Sequence, residues 1–416
     1  MKSFIPPAFN LPLAWIVDAA LPALLKNMYN IDEVRISAPD KAMLRSLREE
    51  RLLYFSNHPS TAEPGIAYHV ANVMGARFNY MASRPVFDWG YGAVGQVIRN
   101  VGAFSVLAGA ADKESLKTAR RLLASQNGKL VIYPEGAMSG ENDNLLPFMP
   151  GASQIGFWGF EDARKIDPLC DVHVLPSFVK YVLKADRSAV EIELREKLRH
   201  FEWRLGIEPG RKNLLRRFLT LGRVLLERAE AEYRVPPGSA TDWEYRVGRV
   251  RHAILDGVAE RMQLRGFPTK GDAIAKLRHL FTVTELMEVG SKDPSLPIVD
   301  KETLEWARKE SKKAYDFIVI NPQYLISWPT GERFVEWLGR FESLIQGKSD
   351  LRARVAHVLF ARPFKLSDYY EDYRKGKRQT VEAITARLRR DMEDLMEKAR
   401  PLSAPIVPAG DVGVES

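Results

Sequence analysis

Residues 56–64, SNHPSTAEP, directly follow the apolar run LLYF at 52–55. A short apolar run bounded by turn-forming residues is typical of a buried strand. Pro59 and Pro64 bound a turn that can fold Glu63 back toward His58. Histidine exchanges a proton near neutral pH, and a neighbouring carboxylate orients it and stabilises its charged form. The stretch therefore predicts a strand end that carries an acid–base pair.

Three further short blocks follow, each at the end of a predicted strand. They are GAFSV at 102–106, YPEG at 133–136 and VLPSFV at 174–179. In this order the four blocks resemble those of the glycerolipid acyltransferases (1-acylglycerol-3-phosphate and lysophospholipid O-acyltransferases). Members of that family carry His and Asp separated by four residues, then Gly-x-Phe, Phe-Pro-Glu-Gly and apolar-Pro blocks. The resemblance covers about residues 40–190 and resumes near 354, where VAHVLF predicts one more strand.

The resemblance implies an acyl-transfer chemistry centred on His58. This imidazole would take the proton of an alcohol as the alcohol oxygen attacks a thioester carbonyl, and would then give the proton to the leaving thiolate. Glu63 would hold the ring and support its charged form, and no covalent acyl-enzyme would be needed. Because Glu63 has one methylene more than the usual Asp, the turn must adjust by about 1 Å.

The resemblance also implies a set of residues that contact substrate: Asn57, Ser60, Tyr133, Pro134, Glu135 and Gly136. Glu135 would either bind the acceptor hydroxyl or fix its own loop. Gly136 permits close approach of the backbone to a ligand.

Two departures bear on the acceptor. The family usually places arginines shortly after the Gly-x-Phe block and after Phe-Pro-Glu-Gly-Thr, where they suit a phosphate. The matching positions here are Ala108 and Met138, which cannot bind an anion. Either other cations substitute, with Arg84, Arg99 and Lys180 as candidates, or the acceptor does not present its phosphate there. The departures argue against glycerol-3-phosphate or lysophosphatidic acid in particular and favour a more apolar acceptor surface.

The composition sets broad limits. The chain has 416 residues, 45% of them hydrophobic, and a net charge of +8, which allows a large core in one or two domains. A modest basic excess suits an anionic membrane surface, nucleic acid or an acidic substrate such as coenzyme A. The single cysteine, Cys170, precludes an intrachain disulfide, which favours a reducing compartment.

The N-terminal region is apolar but interrupted. Pro12, Asp18 and Pro22 break the stretch 9–25, so it is not a confident membrane span or signal-peptide core. An amphipathic helix in the lipid interface and a helix packed on the protein core both fit it. We expect peripheral or monotopic membrane association at the cytoplasmic face.

The order of patterns predicts an α/β fold of acyltransferase type: a mostly parallel or mixed sheet flanked by helices, with an N-terminal amphipathic helix and a large helical insertion. The predicted strands are 52–56, 78–82, 103–106, 130–133, 172–181 and 354–360. The predicted parts are a membrane-contacting segment at 1–39, an α/β core at 40–194, the insertion at 195–352, the last strand and C-terminal helix of the core at 353–400, and a disordered tail at 401–416.

Several other sites are disfavoured. GYGAVG at 90–95 matches the dinucleotide fingerprint, but residues 84–89 separate it from any strand. The chain lacks a Gly-x-Ser-x-Gly elbow, and its histidines show no metal-ligand spacing. We expect no metal, no cofactor beyond the acyl-CoA or acyl carrier protein donor, and no nucleic-acid partner.

The leading hypothesis is an O-acyltransferase that moves a fatty acyl group from coenzyme A or acyl carrier protein to a glycerolipid-type hydroxyl. Two other functions fit the sequence. One is a catalytically inactive lipid-binding or scaffold protein on the same fold, suggested by Ala108, Met138 and Glu63. The other is a hydrolase of acyl esters in which His58 and Glu63 activate water.

Overall fold

The computed structural model describes residues 4–107, 112–236, 242–268, 270–288, 290–291, 294–318 and 321–412. The chain divides into two compact units. Unit 1 comprises Met1–Val182 and Ala353–Leu402, and unit 2 comprises Leu183–Arg352 and Ser403–Ser416. Unit 2 thus begins at Leu183, and its first helix begins at Arg187, rather than at the predicted 195.

The helices and strands of the first part of the chain alternate. They are α1 Leu11–Tyr29, β1 Ile31–Arg35, α2 Ala38–Ser46, β2 Leu52–Ser56, α3 Glu63–Met74, β3 Asn79–Ser83, a 3-10 helix Arg84–Gly92, α4 Ala93–Asn100, β4 Ala103–Val106, α5 Lys113–Ala124, β5 Lys129–Ile132, α6 Pro150–Ile166 and β6 His173–Leu183.

The elements that the structure describes between 187 and 346 are all helices, and the chain then returns to unit 1. The helices of unit 2 are α7 Arg187–Leu205, α8 Leu214–Glu232, α9 Trp243–Arg261, α10 Ala273–Glu288, α11 Lys301–Ile318, α12 Pro322–Ser327 and α13 Gly331–Gln346. The last elements of unit 1 are β7 Arg354–Phe360, β8 Phe364–Lys365, a 3-10 helix Leu366–Tyr369, α14 Tyr370–Lys375, α15 Lys377–Ala399 and a 3-10 helix Arg400–Leu402.

One sheet of eight strands organises unit 1 among the residues described. Its order is β1-β7-β6-β2-β5-β3-β4, with β8 antiparallel to β6. Strand β2 is parallel to both β5 and β6, and β3 is parallel to β4 and β5. The predicted α/β class with a mixed sheet is confirmed, and β2 and β4 have the predicted bounds.

Strand β1 corrects the prediction for residues 1–39. It pairs in parallel with β7 and so belongs to the sheet rather than to a separate membrane segment. Its sequence, IDEVR, is short and charged because it pairs at the edge, where alternate side chains face solvent.

The central strands are buried on both faces, as expected for parallel strands covered by helices. Successive side chains point to opposite sides. Leu52, Tyr54 and Val131 join the core under α3, whereas Leu53 and Phe55 join the core beneath α6 and α15. This packing fixes the register of β2, and with it the position at which the following turn begins.

Helix α1 packs on unit 1 with one face. Ala14, Leu21 and Leu25 are buried, and Asp18 forms an ion pair at 2.6 Å with Arg77. Within the described part of the chain, α1 is the single helix whose length and mean hydropathy of 1.2 would allow it to cross a membrane. Its opposite face is exposed, so both alternatives proposed for this helix keep support.

The C-terminal segment also differs from prediction. Residues 403–412 pack on unit 2 instead of forming a disordered tail. Trp328 Nε1 donates to the Ser403 carbonyl at 3.2 Å, Ile406 N donates to the Pro329 carbonyl at 2.9 Å, and the Ile406 side chain is buried. A few apolar residues among small and proline residues are a weak sequence signal, although Ile406, Val407 and Val412 all pack on the core of unit 2 here.

Unit 2 is built on a helical core with buried ion pairs. Arg217 binds Glu202, and Arg246 binds Glu230, each through two hydrogen bonds. Helix α7 begins at Arg187, before the boundary predicted at 195. Charged residues between its apolar positions make the helical pattern hard to recognise, and those positions are Val190, Leu194, Leu198 and Phe201.

Candidate active site

The predicted site residues gather at the carboxyl ends of two neighbouring strands. Phe55 of β2 pairs with Ile132 of β5, and His58 and Glu135 stand the same number of residues beyond that pair. Since the two strands are parallel, the loops that follow them leave from one edge of the sheet. This edge brings the first and third sequence blocks together.

His58 and Glu63 are in direct contact. The His58 Nδ1 atom lies 2.8 Å from Glu63 Oε2, with the imidazole 19% exposed and the carboxylate fully buried. Glu63 is the first residue of α3, so the turn between Pro59 and Pro64 folds the carboxylate back as the sequence suggests. With Nδ1–H donating to the carboxylate, Nε2 keeps its lone pair, and no described residue hydrogen bonds to it.

Three other donors hold the Glu63 carboxylate. Ser60 donates from its backbone nitrogen to Oε2 at 2.9 Å and from its hydroxyl to Oε1 at 2.8 Å. The hydroxyl of Tyr181 donates to Oε1 as well. Ser60 therefore positions the carboxylate through two hydrogen bonds of its own. An ionised carboxylate accepts but does not donate, so four donors leave it one orientation.

Tyr181 is a site residue that sequence reasoning missed. It stands near the end of β6, and burial together with the Glu63 charge raises its pKa well above the ordinary value. The Arg354 guanidinium lies 4.0 Å from the centroid of the Tyr181 ring and opposes this rise. A tyrosine near the end of a mostly apolar strand was the available signal, but its partner at the start of α3 was not visible in the sequence.

Glu135 holds backbone. Its Oε1 atom accepts from the His58 nitrogen at 2.8 Å, and its Oε2 atom accepts from the Leu146 nitrogen at 2.7 Å. The side chain is completely buried, and burial raises its pKa to about 7 against the opposing effect of these hydrogen bonds. Of the two roles suggested for Glu135, these contacts match the fixing of the loop.

The other residues of the YPEG block shape the same corner. The Tyr133 ring stacks on the His58 imidazole with centroids 4.4 Å apart and an interplanar angle of 23°. The Pro134 carbonyl accepts from the Met149 nitrogen at 2.8 Å. Gly136 has a φ of +63°, and a Cβ there would lie 2.4 Å from the Met149 sulfur. The turn thus needs glycine for both conformation and space.

The contacts of Asn57 differ from the substrate contact that was expected of it. It is fully buried, its Nδ2 donates to the Val179 carbonyl at 3.0 Å, and its Oδ1 accepts from the Val179 nitrogen at 2.7 Å. These two bonds extend the pairing of β2 and β6 beyond the strand end. Asn57 therefore supports the loop that carries His58, and its amide faces strand β6.

The candidate phosphate-binding cations have other partners. Arg84 is buried and binds Asp88 at 2.7 Å, Arg99 donates to the Pro6 carbonyl at 3.0 Å, and Lys180 is buried against Asp143. Met138 is 37% exposed. Ala108 lies outside the described residues.

Two of the disfavoured sites can be compared with the structure. Strand β3 ends at Ser83, and a 3-10 helix separates it from the glycines of 90–95, unlike a dinucleotide-binding turn. Within the described ranges, no three His, Cys, Asp or Glu side chains cluster as metal ligands would. Cys170 is buried, which raises its pKa.

This edge of the sheet lies in a segment of the chain that matches a known protein family. The family model described as Acyltransferase matches residues 35–179. Residues 35–179 form an acyltransferase domain. The matched segment of this acyltransferase domain runs from β1 to β6 and contains all four sequence blocks, including His58, Glu63 and Glu135. No curated protein matches the chain.

Proposed function

We propose that the protein transfers a fatty acyl group from acyl-CoA or acyl carrier protein to a hydroxyl of a glycerolipid-type acceptor. One observation carries this proposal: His58 is oriented by Glu63, and no residue that the structure describes hydrogen bonds to its Nε2 atom. That arrangement suits a general base whose proton donor is a substrate. The acyltransferase domain supports the reaction class, and the contacts of His58 support the residue roles.

In the proposed reaction, His58 Nε2 takes the hydroxyl proton as the acceptor oxygen attacks the thioester carbonyl carbon. The resulting tetrahedral intermediate collapses, the carbon–sulfur bond breaks, and the proton passes from Nε2 to the departing thiolate. Glu63 stabilises the imidazolium that exists between these two transfers. The Tyr133 ring, stacked on the imidazole, favours the same charged form through its π face. The thioester is a substrate, and the proposed steps call for no separate cofactor.

For the acceptor, we propose a surface that is more apolar than a phosphate site. Met138 stands where the family usually has an arginine, and Arg84 and Lys180 are already engaged with carboxylates. A partly exposed methionine contacts acyl or other apolar groups readily. This argument favours an acceptor whose phosphate, if present, is bound elsewhere.

We further propose that the protein works at the cytoplasmic surface of a membrane. The exposed side of α1 carries Leu11, Trp15 and Ile16, each more than half exposed. The buried side carries Asp18, which the ion pair with Arg77 attaches to unit 1. A helix held in this way can place its apolar side in the lipid interface without crossing the bilayer.

The test is incubation with labelled acyl-CoA and a panel of acceptors from a lipid extract, with the products identified by mass spectrometry. We expect an acylated lipid, and we expect His58→Ala to lower turnover by about 10²–10⁴-fold. His69→Ala, in helix α3, is the matched control and should retain turnover. Free fatty acid released regardless of acceptor would show a hydrolase. Transfer to no acceptor would favour a lipid-binding protein, and full activity of His58→Ala would refute the proposed mechanism.

A further inference from the structure

The exposed large apolar side chains of unit 1 are concentrated in two segments, one at 9–28 and one at 89–97. We call their exposed surface the aromatic face, which consists of Phe9, Leu11, Trp15, Ile16, Leu24, Met28, Trp89, Tyr91 and Val97. An apolar surface of this kind on a folded protein marks an interaction site.

The two segments are neighbours. Backbone nitrogens of Ala8 and Asn10, just before α1, donate to the carbonyls of Arg99 and Asn100 at 3.1 and 2.8 Å. The Arg99 side chain adds a hydrogen bond to the Pro6 carbonyl at 3.0 Å. The start of α1 therefore lies beside the end of α4, and the two exposed segments are adjacent on unit 1.

Residues 89–91, where the 3-10 helix Arg84–Gly92 departs from helical geometry, form a loop that projects two aromatic rings. Gly90, Tyr91 and Gly92 have φ values of 58°, 56° and 88°, all in the left-handed region. Tyr91 is fully exposed and Trp89 is 53% exposed. A left-handed tyrosine costs about 1 kcal/mol, so the loop holds an unfavourable conformation that keeps a large ring in water.

The glycine pattern at 90–95 has a structural explanation in this loop. A Cβ at Gly95 would lie 2.0 Å from the Phe87 carbonyl oxygen, so α4 can pack against the 3-10 helix only with glycine there. Gly90 and Gly92 supply the reversal between the two helices. The pattern that matched a dinucleotide fingerprint therefore builds the support for Trp89 and Tyr91.

We propose that the loop 89–91, together with the exposed side of α1, inserts into the interfacial layer of a lipid bilayer. Tryptophan and tyrosine prefer that layer because their rings are apolar and their polar atoms remain in water. Lys26, whose side chain is 63% exposed although it pairs with Asp32 at 3.5 Å, and Arg99 belong to the same two segments, where they suit anionic headgroups. The inference deepens the membrane association proposed above by adding a second point of attachment.

Two points of attachment would also orient the enzyme. The loop follows β3, and β3 is parallel to β5 and thus ends at the sheet edge where His58 and Glu135 lie. Insertion of this loop would turn that edge toward the lipid surface. Acceptor and acyl chain could then reach His58 from the bilayer.

The first experiment measures binding of the full chain to sedimented vesicles of phosphatidylcholine, with and without phosphatidylglycerol. The double substitution Trp89→Ala and Tyr91→Ala should weaken partition by about tenfold or more, since each ring buries a large apolar area. Trp203→Ala removes a tryptophan that is 79% exposed in unit 2 and is the matched control. Equal losses in both variants, or no vesicle binding by the unmodified protein, would overturn the inference.

The second experiment places a reporter in the loop and does not depend on the stability of the double variant. In a Cys170→Ala background, Tyr91→Cys carries an environment-sensitive fluorophore at the single thiol, and Leu169→Cys, at a position 95% exposed in the unmodified protein, is the control. Vesicles should shift the emission to the blue at position 91 and leave position 169 unchanged. An unshifted label at 91, or a shift that follows protein concentration without vesicles, would contradict lipid insertion; the latter would indicate self-association.

These measurements separate the inference from the proposed function. Turnover of a short-chain, water-soluble thioester should be unchanged by Trp89→Ala and Tyr91→Ala, because neither side chain contacts His58. If the label shifts but His58→Ala remains fully active, the proposed chemistry fails and the membrane face stands. If His58→Ala is inactive and the label does not shift, the opposite holds.

Discussion

The Oε1 atom of Glu135 accepts a hydrogen bond from the backbone nitrogen of His58 at 2.8 Å. The second oxygen of the same carboxylate holds the backbone of Leu146, and the Ser139 nitrogen returns a bond to the His58 carbonyl at 2.8 Å. The loops after β2 and β5 are thereby tied together through one buried side chain. The position of the His58 ring consequently depends on a residue that the imidazole itself does not touch.

We expect the Glu135 carboxyl to make stability depend on pH. Its ordinary pKa is 4.5 and its folded value is about 7. Between these values the folded protein keeps a proton that the unfolded chain has released, so the free energy of unfolding falls as pH rises. The fall should total about 3 kcal/mol across the window.

Urea unfolding of the wild type and Glu135→Gln at several pH values between 4.5 and 8 tests this expectation. The variant has no proton to release, so its curve should lack that component, whereas the exposed Glu114→Gln should behave as the wild type. A Glu135→Gln curve parallel to that of the wild type would show that burial does not raise this pKa.

Glu63→Asp restores the acidic residue usual in the family, yet we expect it to lower activity. The shorter side chain withdraws the carboxylate by about 1 Å from His58, Ser60 and Tyr181, all of which contact the longer glutamate side chain. Turnover should fall by about tenfold, with little change in KM, because the imidazolium loses support. In a His58→Ala background the same substitution should have almost no further effect. Wild-type turnover of Glu63→Asp would mean that the turn adapts to the shorter acid.

Tyr181→Phe removes one of four hydrogen bonds to Glu63 and should affect both stability and catalysis. Loss of a buried bond to a charged group costs about 1–3 kcal/mol. Tyr54→Phe is the matched control, because the Tyr54 hydroxyl is equally buried but accepts from Ser177 at 2.7 Å. Thermal melting should fall in both variants, and turnover should fall in Tyr181→Phe alone. Equal turnover in the two would make Tyr181 a purely structural residue.

Gly136→Ala should distort the corner that holds Glu135. The new methyl group meets the Met149 sulfur and the backbone retains a φ of +63°, so strain remains even if Met149 moves. We expect a loss of at least about 1 kcal/mol. Gly151→Ala, where a Cβ meets no atom within 4 Å, should cost nothing measurable. Adding Met149→Ala to Gly136→Ala should recover part of the loss, and full recovery would argue against backbone strain.

The sequence predicted those parts of the fold that depend on local pattern. The runs at 52–56 and 103–106 became β2 and β4 because apolar residues bounded by turns are fully buried in a parallel sheet. Strand β1 was missed, since IDEVR is an edge strand whose pairing with β7 joins residues far apart in the chain.

Within the candidate site, too, the sequence predicted only the contacts that depend on local pattern. The contact between His58 and Glu63 depends on one local turn, and the turn could be inferred from its prolines. The contacts of Asn57 with Val179 and of Glu63 with Tyr181 connect distant residues, so no local pattern indicates them. Asn57 was therefore expected to contact substrate, although its side chain hydrogen bonds to the backbone of strand β6.

The packing of residues 403–412 on unit 2 has a consequence for truncated forms of the protein. A stop codon just after Leu402 would spare every strand of the sheet, the acyltransferase domain and the long helix α15. It would nevertheless remove the Ser403 carbonyl from Trp328 and the buried side chain of Ile406 from the helical core. A nonsense mutation close to the end of the coding sequence would thus destabilise the helical core of unit 2, which is encoded well upstream of it.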